Sequence, residues 1–208
     1  MSAPVDYPAT LSIDSFEGDR DKTTTFFRPF VAIPILIILS LLGGSTFGWH
    51  DSPWSVNFPA AGMVMLPTVL MLLFQRKYPR WWFDWNLSLT RFAVRVGVYM
   101  ALLRDEYPST DEEQAVHLEI PYPDAQHDLS SGLPLVKWFL AIPHLIVLGF
   151  LGIAVFVCVI AAWFAILFTG KYPESLAEFV VGFFRWELRV AAYAFLLTTD
   201  KYPPFTLD

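Results

Sequence analysis

Charged residues are scarce in this chain of 208 residues. Asp, Glu, Lys and Arg together make up 16%, whereas a soluble domain averages about 25%. Hydrophobic residues make up 55%, which is too large a share for one soluble core and indicates a membrane protein. The net charge is −6, and it argues against nucleic acid as a partner because phosphate binding needs a basic surface.

The sequence also lacks the motifs of catalysis and cofactor binding. It contains no P-loop, no paired CxxC, no HExxH and no GxGxxG. Its single cysteine, Cys158, excludes an intrachain disulfide. Residues 1–14 show no basic region followed by an apolar one, so we expect no cleavable signal peptide. These absences favour a protein that is not an enzyme and that holds neither a metal nor a cofactor.

An internal repeat is the strongest positive feature. Residues 28–36 (RPFVAIPIL) match residues 137–145 (KWFLAIPHL) at an offset of 109 residues, and Lys-Tyr-Pro at 77–79 recurs at 171–173 at an offset of 94. The second copy is therefore 15 residues shorter between these motifs. A helical stripe of two arginines and a tyrosine recurs at the second offset: Arg91, Arg95 and Tyr99, then Arg185, Arg189 and Tyr193. The sequence predicts repeat 1 over 1–108 and repeat 2 over 109–208.

Each repeat contains a long apolar segment. Residues 29–48 and 56–75 can each cross about 30 Å of hydrocarbon, and turn residues separate them. Residues 138–170 contain no Asp, Glu, Lys or Arg. One helix over this segment would be roughly 50 Å long, too long for one crossing, so we expect a turn near 149–152. The sequence thus predicts transmembrane hairpins at about 29–75 and 138–170, four transmembrane helices in all.

Shorter elements flank the hairpins. Residues 9–14 and about 115–123 alternate like short strands that could pair. Helices at about 80–104 and 174–199 carry a cationic stripe on an apolar surface, as interfacial helices do. The predicted fold is an all-α integral membrane protein with a tandem repeat of short strand, transmembrane hairpin and interfacial amphipathic helix. The alternative is that these helices span and the two copies are inverted, at the cost of mid-membrane arginines.

The basic residues predict an orientation. None of the 14 falls in the predicted turns at 48–57 and 149–152. The positive-inside rule then places both termini and residues 105–130 on the cytoplasmic side of a bacterial inner membrane, in a multi-pass protein. An even number of crossings per repeat would relate the two copies by a pseudo-twofold axis along the membrane normal.

The motifs resemble those of one family. The chain has two Ala-Ile-Pro segments, each followed by Lys-Tyr-Pro, an Arg-x-x-x-Arg-x-x-x-Tyr helix and a closing Tyr-Pro. This order is similar to the bacterial domain-of-unknown-function family numbered four-three-eight-nine, over residues 26–205. The resemblance implies a small multi-pass bacterial membrane protein, and it brings no activity, substrate or catalytic residue.

The arginine stripes are the candidate binding site. A guanidinium makes forked hydrogen bonds to phosphate or carboxylate, so the hypothesis is that the stripes bind an anionic lipid or an acidic partner. The alternative is that the arginines snorkel or pair with Asp84, Glu178 and Glu187. The candidate residues are Arg91, Arg95, Tyr99, Arg185, Arg189 and Tyr193.

One histidine lies in an apolar helix. His144 could be a proton relay or a haem ligand, but haem b normally takes two axial ligands from facing helices. The other histidines, His50, His117 and His127, fall in predicted loops, so a packing role is favoured for His144. Phospholipid is then the expected bound small molecule.

Two functions remain open from the sequence. The first is a non-enzymatic accessory or structural subunit that organises a larger membrane complex and binds anionic lipid, with lipids and other membrane subunits or further copies as partners. The alternative is a homo-oligomeric transporter or an anion-conducting pore built on the repeat.

Overall fold

The computed structural model describes residues 7–14, 20–47, 56–110 and 112–208, and it gives the backbone alone for residues 38, 40–47 and 56–64. In chain order the elements are β1 (Thr10–Ile13), α1 (Lys22–Val31), α2 (Ile33–Gly43), β2 (Gly44–Phe47), β3 (Val56–Pro59), α3 (Ala60–Gln75), α4 (Arg80–Met100), β4 (Val116–Glu119), α5 (Pro134–Thr169) and α6 (Glu174–Ala194).

The second apolar segment is one helix. α5 runs unbroken through 36 residues, so the predicted hairpin at 138–170 is wrong. Gly149 and Gly152 each destabilise a helix by only about 1 kcal/mol relative to alanine. The sequence around them has no polar side chain that could hydrogen-bond the backbone groups that a turn would leave unpaired. In the hydrocarbon core of a bilayer no water is available to these backbone groups, so they form their hydrogen bonds within the helix. α5 ends at Gly170, whose left-handed conformation (φ 78°) is a common helix stop.

In copy 1 the counterpart of α5 is divided into α1, α2 and α3, and Arg28 of α1 corresponds to Lys137 of α5. The offset of 109 residues matches Gly43 at the end of α2 to Gly152, and the offset of 94 matches Ala60 at the start of α3 to Ala154. The antiparallel hairpin of β2 and β3 therefore fills the insertion. The predicted loop at 48–57 lies outside the described residues except for its last two positions.

Four transmembrane helices are not found. Among the described residues, α5 alone is long and apolar enough to cross a membrane. The predicted hairpin at 29–75 is wrong because α2 has 11 residues and α3 has 16. At 1.5 Å per residue these helices are roughly 16 and 24 Å long, shorter than about 30 Å of hydrocarbon.

The two predicted strands do pair. β1 and β4 run antiparallel, with Leu11 opposite Leu118, which confirms the expected strand pair. Both leucines are buried, whereas His117 beside them points outward and is half exposed. Two strands alone are only marginally stable. This pair is covered by α4 and α6, and its inward residues belong to the main hydrophobic core.

The amphipathic helices begin and end alike. α4 starts after Pro79 and α6 after Pro173, both in an extended conformation; proline suits a helix start because its missing N–H is not needed there. Shortly after each helix a leucine adopts a positive φ, 64° at Leu102 and 58° at Leu197. The expected helices at about 80–104 and 174–199 are present, but they stop at Met100 and Ala194.

Candidate functional site

The first arginine of each stripe binds the central strand pair. Arg91 donates from Nε to the carbonyl oxygen of Leu118 at 3.1 Å, and Arg185 donates from Nε to that of Leu11 at 3.2 Å. Leu11 and Leu118 are opposite each other in the sheet, so equivalent arginines bind equivalent carbonyls across a local twofold axis. Each arginine thus binds the strand of the other copy.

The second arginine of each stripe binds a loop that follows its own helix. Arg95 donates to the carbonyl of Ser109 at 2.7 Å, and Arg189 donates from Nη2 to the carbonyl of Thr206 at 2.7 Å. Both acceptors lie just beyond the closing Tyr-Pro of their copy. Burial lowers the pKa of Arg189, whose side chain is only 3% exposed. This pair of bonds fixes how the chain leaves each repeat.

Two buried cations complete the duplicated pattern. Arg28 donates to the carbonyl of Arg104 at 2.9 Å, forms an ion pair with Asp105, and lies 4.5 Å from the centre of the Tyr99 ring. Its side chain is 2% exposed. The aspartate is the residue that stands two places before the closing tyrosine.

Lys137 repeats this arrangement in copy 2. Its ammonium lies 2.6 Å from Oδ1 of Asp200, 2.7 Å from the carbonyl oxygen of Thr199 and 5.1 Å from the centre of the Tyr193 ring. The side chain is fully buried. Sequence analysis missed both cation sites, although two signals were available: the matched basic residues at the 109-residue offset and an aspartate before each closing Tyr-Pro.

The structure thus places the six predicted site residues in two settings. The four arginines surround the central strands and their loops, while Tyr99 and Tyr193, each 2% exposed, lie inside against the buried cations. Among the ion pairs of the described residues, none joins these four arginines to Asp84, Glu178 or Glu187. The hydrogen bonds of the arginines go to backbone carbonyls instead.

His144 has a packing position, as predicted. Its side chain is fully buried, its Nδ1 accepts a hydrogen bond from Nε1 of Trp186 at 3.1 Å, and its ring stacks on Phe205 at 3.8 Å. Because Nδ1 is an acceptor, the ring is neutral with its proton on Nε2.

An apolar cavity of about 720 Å³ lies between α4, α5 and α6. Its wall is formed mainly by large apolar side chains, which include Leu39, Leu89, Leu145, Leu148, Phe184 and Leu188. Among the described residues, the polar ones at its wall are Asn86, Thr90 and Glu187. Within the described residues no three His, Cys, Asp or Glu side chains come together as a metal site would require.

Comparison with known proteins gives one match. The family model described as "Domain of unknown function (DUF4389)" matches residues 134–206. This segment covers α5, the second Lys-Tyr-Pro, α6 and the closing Tyr-Pro. No curated protein and no solved structure matches the chain. The similarity to the DUF4389 family is thus found over residues 134–206, the greater part of the second copy.

Proposed function

We propose that the protein is a non-enzymatic accessory or structural subunit of a membrane complex, with α5 in contact with lipid. The proposal rests mainly on the exposed apolar face of α5. The most apolar 18-residue window of this helix is only 17% buried, and Phe150 and Phe168 are 72% and 80% exposed. A face of this size needs cover by lipid or by another protein.

The polar groups of the repeat support a structural role. Arg91 and Arg185 bind backbone carbonyls of the strand pair, while Arg28 and Lys137 pair with aspartates of their own copy. These groups are used to hold the chain together, so they offer little for catalysis. Lipid binding by the arginine stripes stays a prediction. Of the four stripe arginines, Arg91 is exposed, Arg95 and Arg185 are half-buried, and Arg189 is buried.

The same contacts count against the transporter or pore. An anion path needs cationic side chains that face an open channel. Here the guanidinium groups of Arg95 and Arg189 donate at 2.7 Å to loop carbonyls, and Arg189 is buried. An accessory subunit needs no such path and therefore fits the geometry better.

Location in a bacterial inner membrane, with the strand pair and residues 105–130 on the cytoplasmic side, is part of the proposal. The hydrogen-bonded pairing of β1 with β4 supports a common side for these two strands. Two cytoplasmic termini would need an even number of crossings, whereas α5 alone is long and apolar enough to cross among the described residues. Cysteine labelling tests this location. In a Cys158→Ser background, Ser109→Cys should react with a membrane-impermeant maleimide only after cell lysis. Labelling on intact cells would rule out the proposed orientation.

Membrane attachment is tested by alkaline carbonate extraction. The wild-type protein should stay in the membrane pellet. Phe156→Arg places a charge on the exposed face of α5, which costs about 2.5–3.5 kcal/mol at the centre of a spanning helix, and should reduce the pelleted fraction. Tyr107→Arg, an exposed aromatic outside α5, is the matched control. Complete release of the wild-type protein would contradict the proposal.

Stoichiometry separates the two functions. Purification in a mild detergent should yield this chain together with unlike membrane subunits. A closed ring of identical chains that conducts anions in a planar bilayer would instead establish the pore.

A further inference from the structure

The exposed face of α5 contains one straight stripe. A series of exposed large apolar side chains repeats every three or four residues from Leu135 to Phe168. At about 100° per residue this series falls within one arc of about 80° around the helix axis. The buried residues of α5 repeat on the opposite side, from Pro134 to Ile166. α5 therefore has one face against the protein and the opposite face uncovered along its whole length.

The first copy repeats this stripe. At the two repeat offsets, exposed residues of α1, α2 and α3 match exposed residues of α5, as in the pairs Phe30 and Phe139, Ile37 and Ile146, and Phe74 and Phe168. α1 and α3 both pack against α5, and the ring centres of Phe26 and Trp163 lie 6.3 Å apart in a stacked arrangement. The two stripes are therefore neighbours and form one apolar surface.

The opposite side of the molecule is polar. α5 packs against α6, which packs against β1, and α4 packs against β4. In copy 1, Ile35 of α2 shares a hydrophobic cluster with Phe92 and Val96 of α4. The amphipathic helices thus separate the long helices from the strand pair, whose outward side chains include the exposed His117 and Glu119. The apolar surface and the polar strand pair face opposite directions.

α5 is also too long to cross a bilayer upright. Its 36 residues extend for about 54 Å at 1.5 Å per residue, against about 30 Å of hydrocarbon. Fitting the helix into that thickness needs a tilt of about 55°, whereas spanning helices tilt by about 0–40°. A crossing would also carry the arginines of α6 into the hydrocarbon, because α6 is packed against α5.

Exposed cations flank the apolar surface at both ends. At the end of α5, Lys22 donates to the carbonyl of Phe168 at 3.2 Å. At the start of α5, Arg76 donates to the hydroxyl of Ser131 at 3.2 Å, and Trp138 is exposed one turn into the helix. Lysine and arginine attract anionic lipid head groups, and tryptophan prefers the head-group level. Both ends of α5 therefore carry the residues of a membrane interface.

We propose that the apolar surface lies in one leaflet of an anionic phospholipid membrane, with α5 in the plane of the interface rather than across the bilayer. Interfacial helices bury their apolar face about 5–10 Å deep. The cations at both ends of α5 then meet head groups of the same leaflet, and the strand pair points into water. This inference rests on the proposed contact of α5 with lipid and specifies the geometry of that contact.

The first test measures depth by electron paramagnetic resonance on the full chain in vesicles of phosphatidylcholine and phosphatidylglycerol. Nitroxide labels are attached to single cysteines, in a Cys158→Ser background, that replace the exposed residues Phe30, Phe139, Ile153 and Phe168. Collision with oxygen and with a water-soluble nickel complex should place all four labels at one depth, about 5–10 Å. His117→Cys on the strand pair is the control and should lie in water.

The second test compares the two ends of α5 in cells. Gly132→Cys and Lys171→Cys replace exposed residues just before and just after the helix. In the Cys158→Ser background both should react with a membrane-impermeant maleimide only after cell lysis, because both ends of an interfacial helix lie on one side.

A spanning α5 gives different results. The label at Ile153 would lie near the bilayer centre, with Phe168 about 22 Å away along the helix, and one end of α5 would react on intact cells. Either result would overturn this inference while leaving the proposed contact of α5 with lipid intact. Labels in water at all four positions would refute both. Dipolar broadening between labels of two chains, without exposure to lipid, would show that a second copy covers the apolar surface and would also refute the inference.

Discussion

Tyr78 and Tyr172 form reciprocal hydrogen bonds between the two copies. The hydroxyl of Tyr78 donates at 2.9 Å to the carbonyl of Leu196, just beyond α6, and that of Tyr172 donates at 3.3 Å to the carbonyl of Ala101, just beyond α4. Burial raises the pKa of Tyr78 to about 12 and also raises the pKa of Tyr172. The repeated Lys-Tyr-Pro motif thus joins the corner of one copy to the helix end of the other.

Removing either hydroxyl should destabilise the protein. Tyr78→Phe and Tyr172→Phe each leave a buried carbonyl without its donor, so each should lower the free energy of unfolding by about 1 kcal/mol. Tyr202→Phe removes the hydrogen bond of an exposed tyrosine to Leu140 and is the control, expected to change stability far less. Denaturant unfolding in detergent measures the three. Equal effects of Tyr78→Phe, Tyr172→Phe and Tyr202→Phe would contradict the prediction.

The buried ion pair of Lys137 and Asp200 should show strong coupling. Asp200→Asn leaves the ammonium of Lys137, which is fully buried, without its counter-charge and should cost about 3 kcal/mol. The double variant Lys137→Met with Asp200→Asn removes both charges and should be more stable than Asp200→Asn alone. Asp124→Asn breaks an exposed pair with His127 and should leave stability nearly unchanged. An additive double variant would refute the coupling.

The arginine contacts to the strand pair should be specific for arginine. In Arg91→Lys and Arg185→Lys the charge is kept but the Nε donor to the opposite strand is lost. We expect faster hydrogen exchange of the amides in β1 and β4, while exchange in α5 stays the same. Lys77→Arg serves as a charge-preserving control outside the stripes. Unchanged exchange in both strands would mean that these bonds contribute nothing to the sheet.

The raised pKa of the Glu187 carboxyl predicts that the stability of the fold depends on pH. Its pKa is raised above the ordinary 4.5 by burial, so the folded chain holds this proton more tightly than the unfolded chain does. The resulting stabilisation is present below pH 4.5 and is lost as the pH rises through the pKa of the folded state.

Glu187→Gln should therefore melt at a higher temperature than the wild type at pH 8, and the difference should shrink as the pH falls towards 4.5. Glu178→Gln, an exposed position on the same helix, is the control and should show no such trend. If the difference in melting temperature between Glu187→Gln and the wild type grew as the pH fell, the pH dependence would have the opposite sign and the prediction would be wrong.

The repeat made much of this fold predictable. Matched offsets located both arginine helices, and the alternation at residues 9–14 and 115–123 located the strand pair. The hairpin at 138–170 failed for a physical reason. Length alone suggested a turn, but this segment has no proline after Pro143 and no polar residue to cap a break, so the backbone stays helical through it.

The contacts of the site were less predictable. The stripe of Arg185, Arg189 and Tyr193 follows from helical spacing, but its partners are backbone carbonyls, which no side-chain pattern reveals. The acceptor of Arg185 is Leu11, 174 residues away in sequence. The cavity was missed because its lining comes from distant parts of the chain: Asn86 of α4 and Glu187 of α6 are 101 residues apart in sequence.

In each copy an arginine binds the strand of the other copy. This reciprocal binding sets the order in which the central contacts can form during synthesis. β1 is made first, but its arginine partner lies in α6, and Arg185 and Leu11 are 174 residues apart. The N-terminal strand can pair with β4 once residues 116–119 have been made, but it lacks its arginine until almost the whole chain has left the ribosome. Closing so long a loop is slow because its entropy is lost before any contact forms. The contact between Arg185 and Leu11 is thus a late step, and a ribosome stalled before α6 would hold a β1 strand that has no arginine to bind.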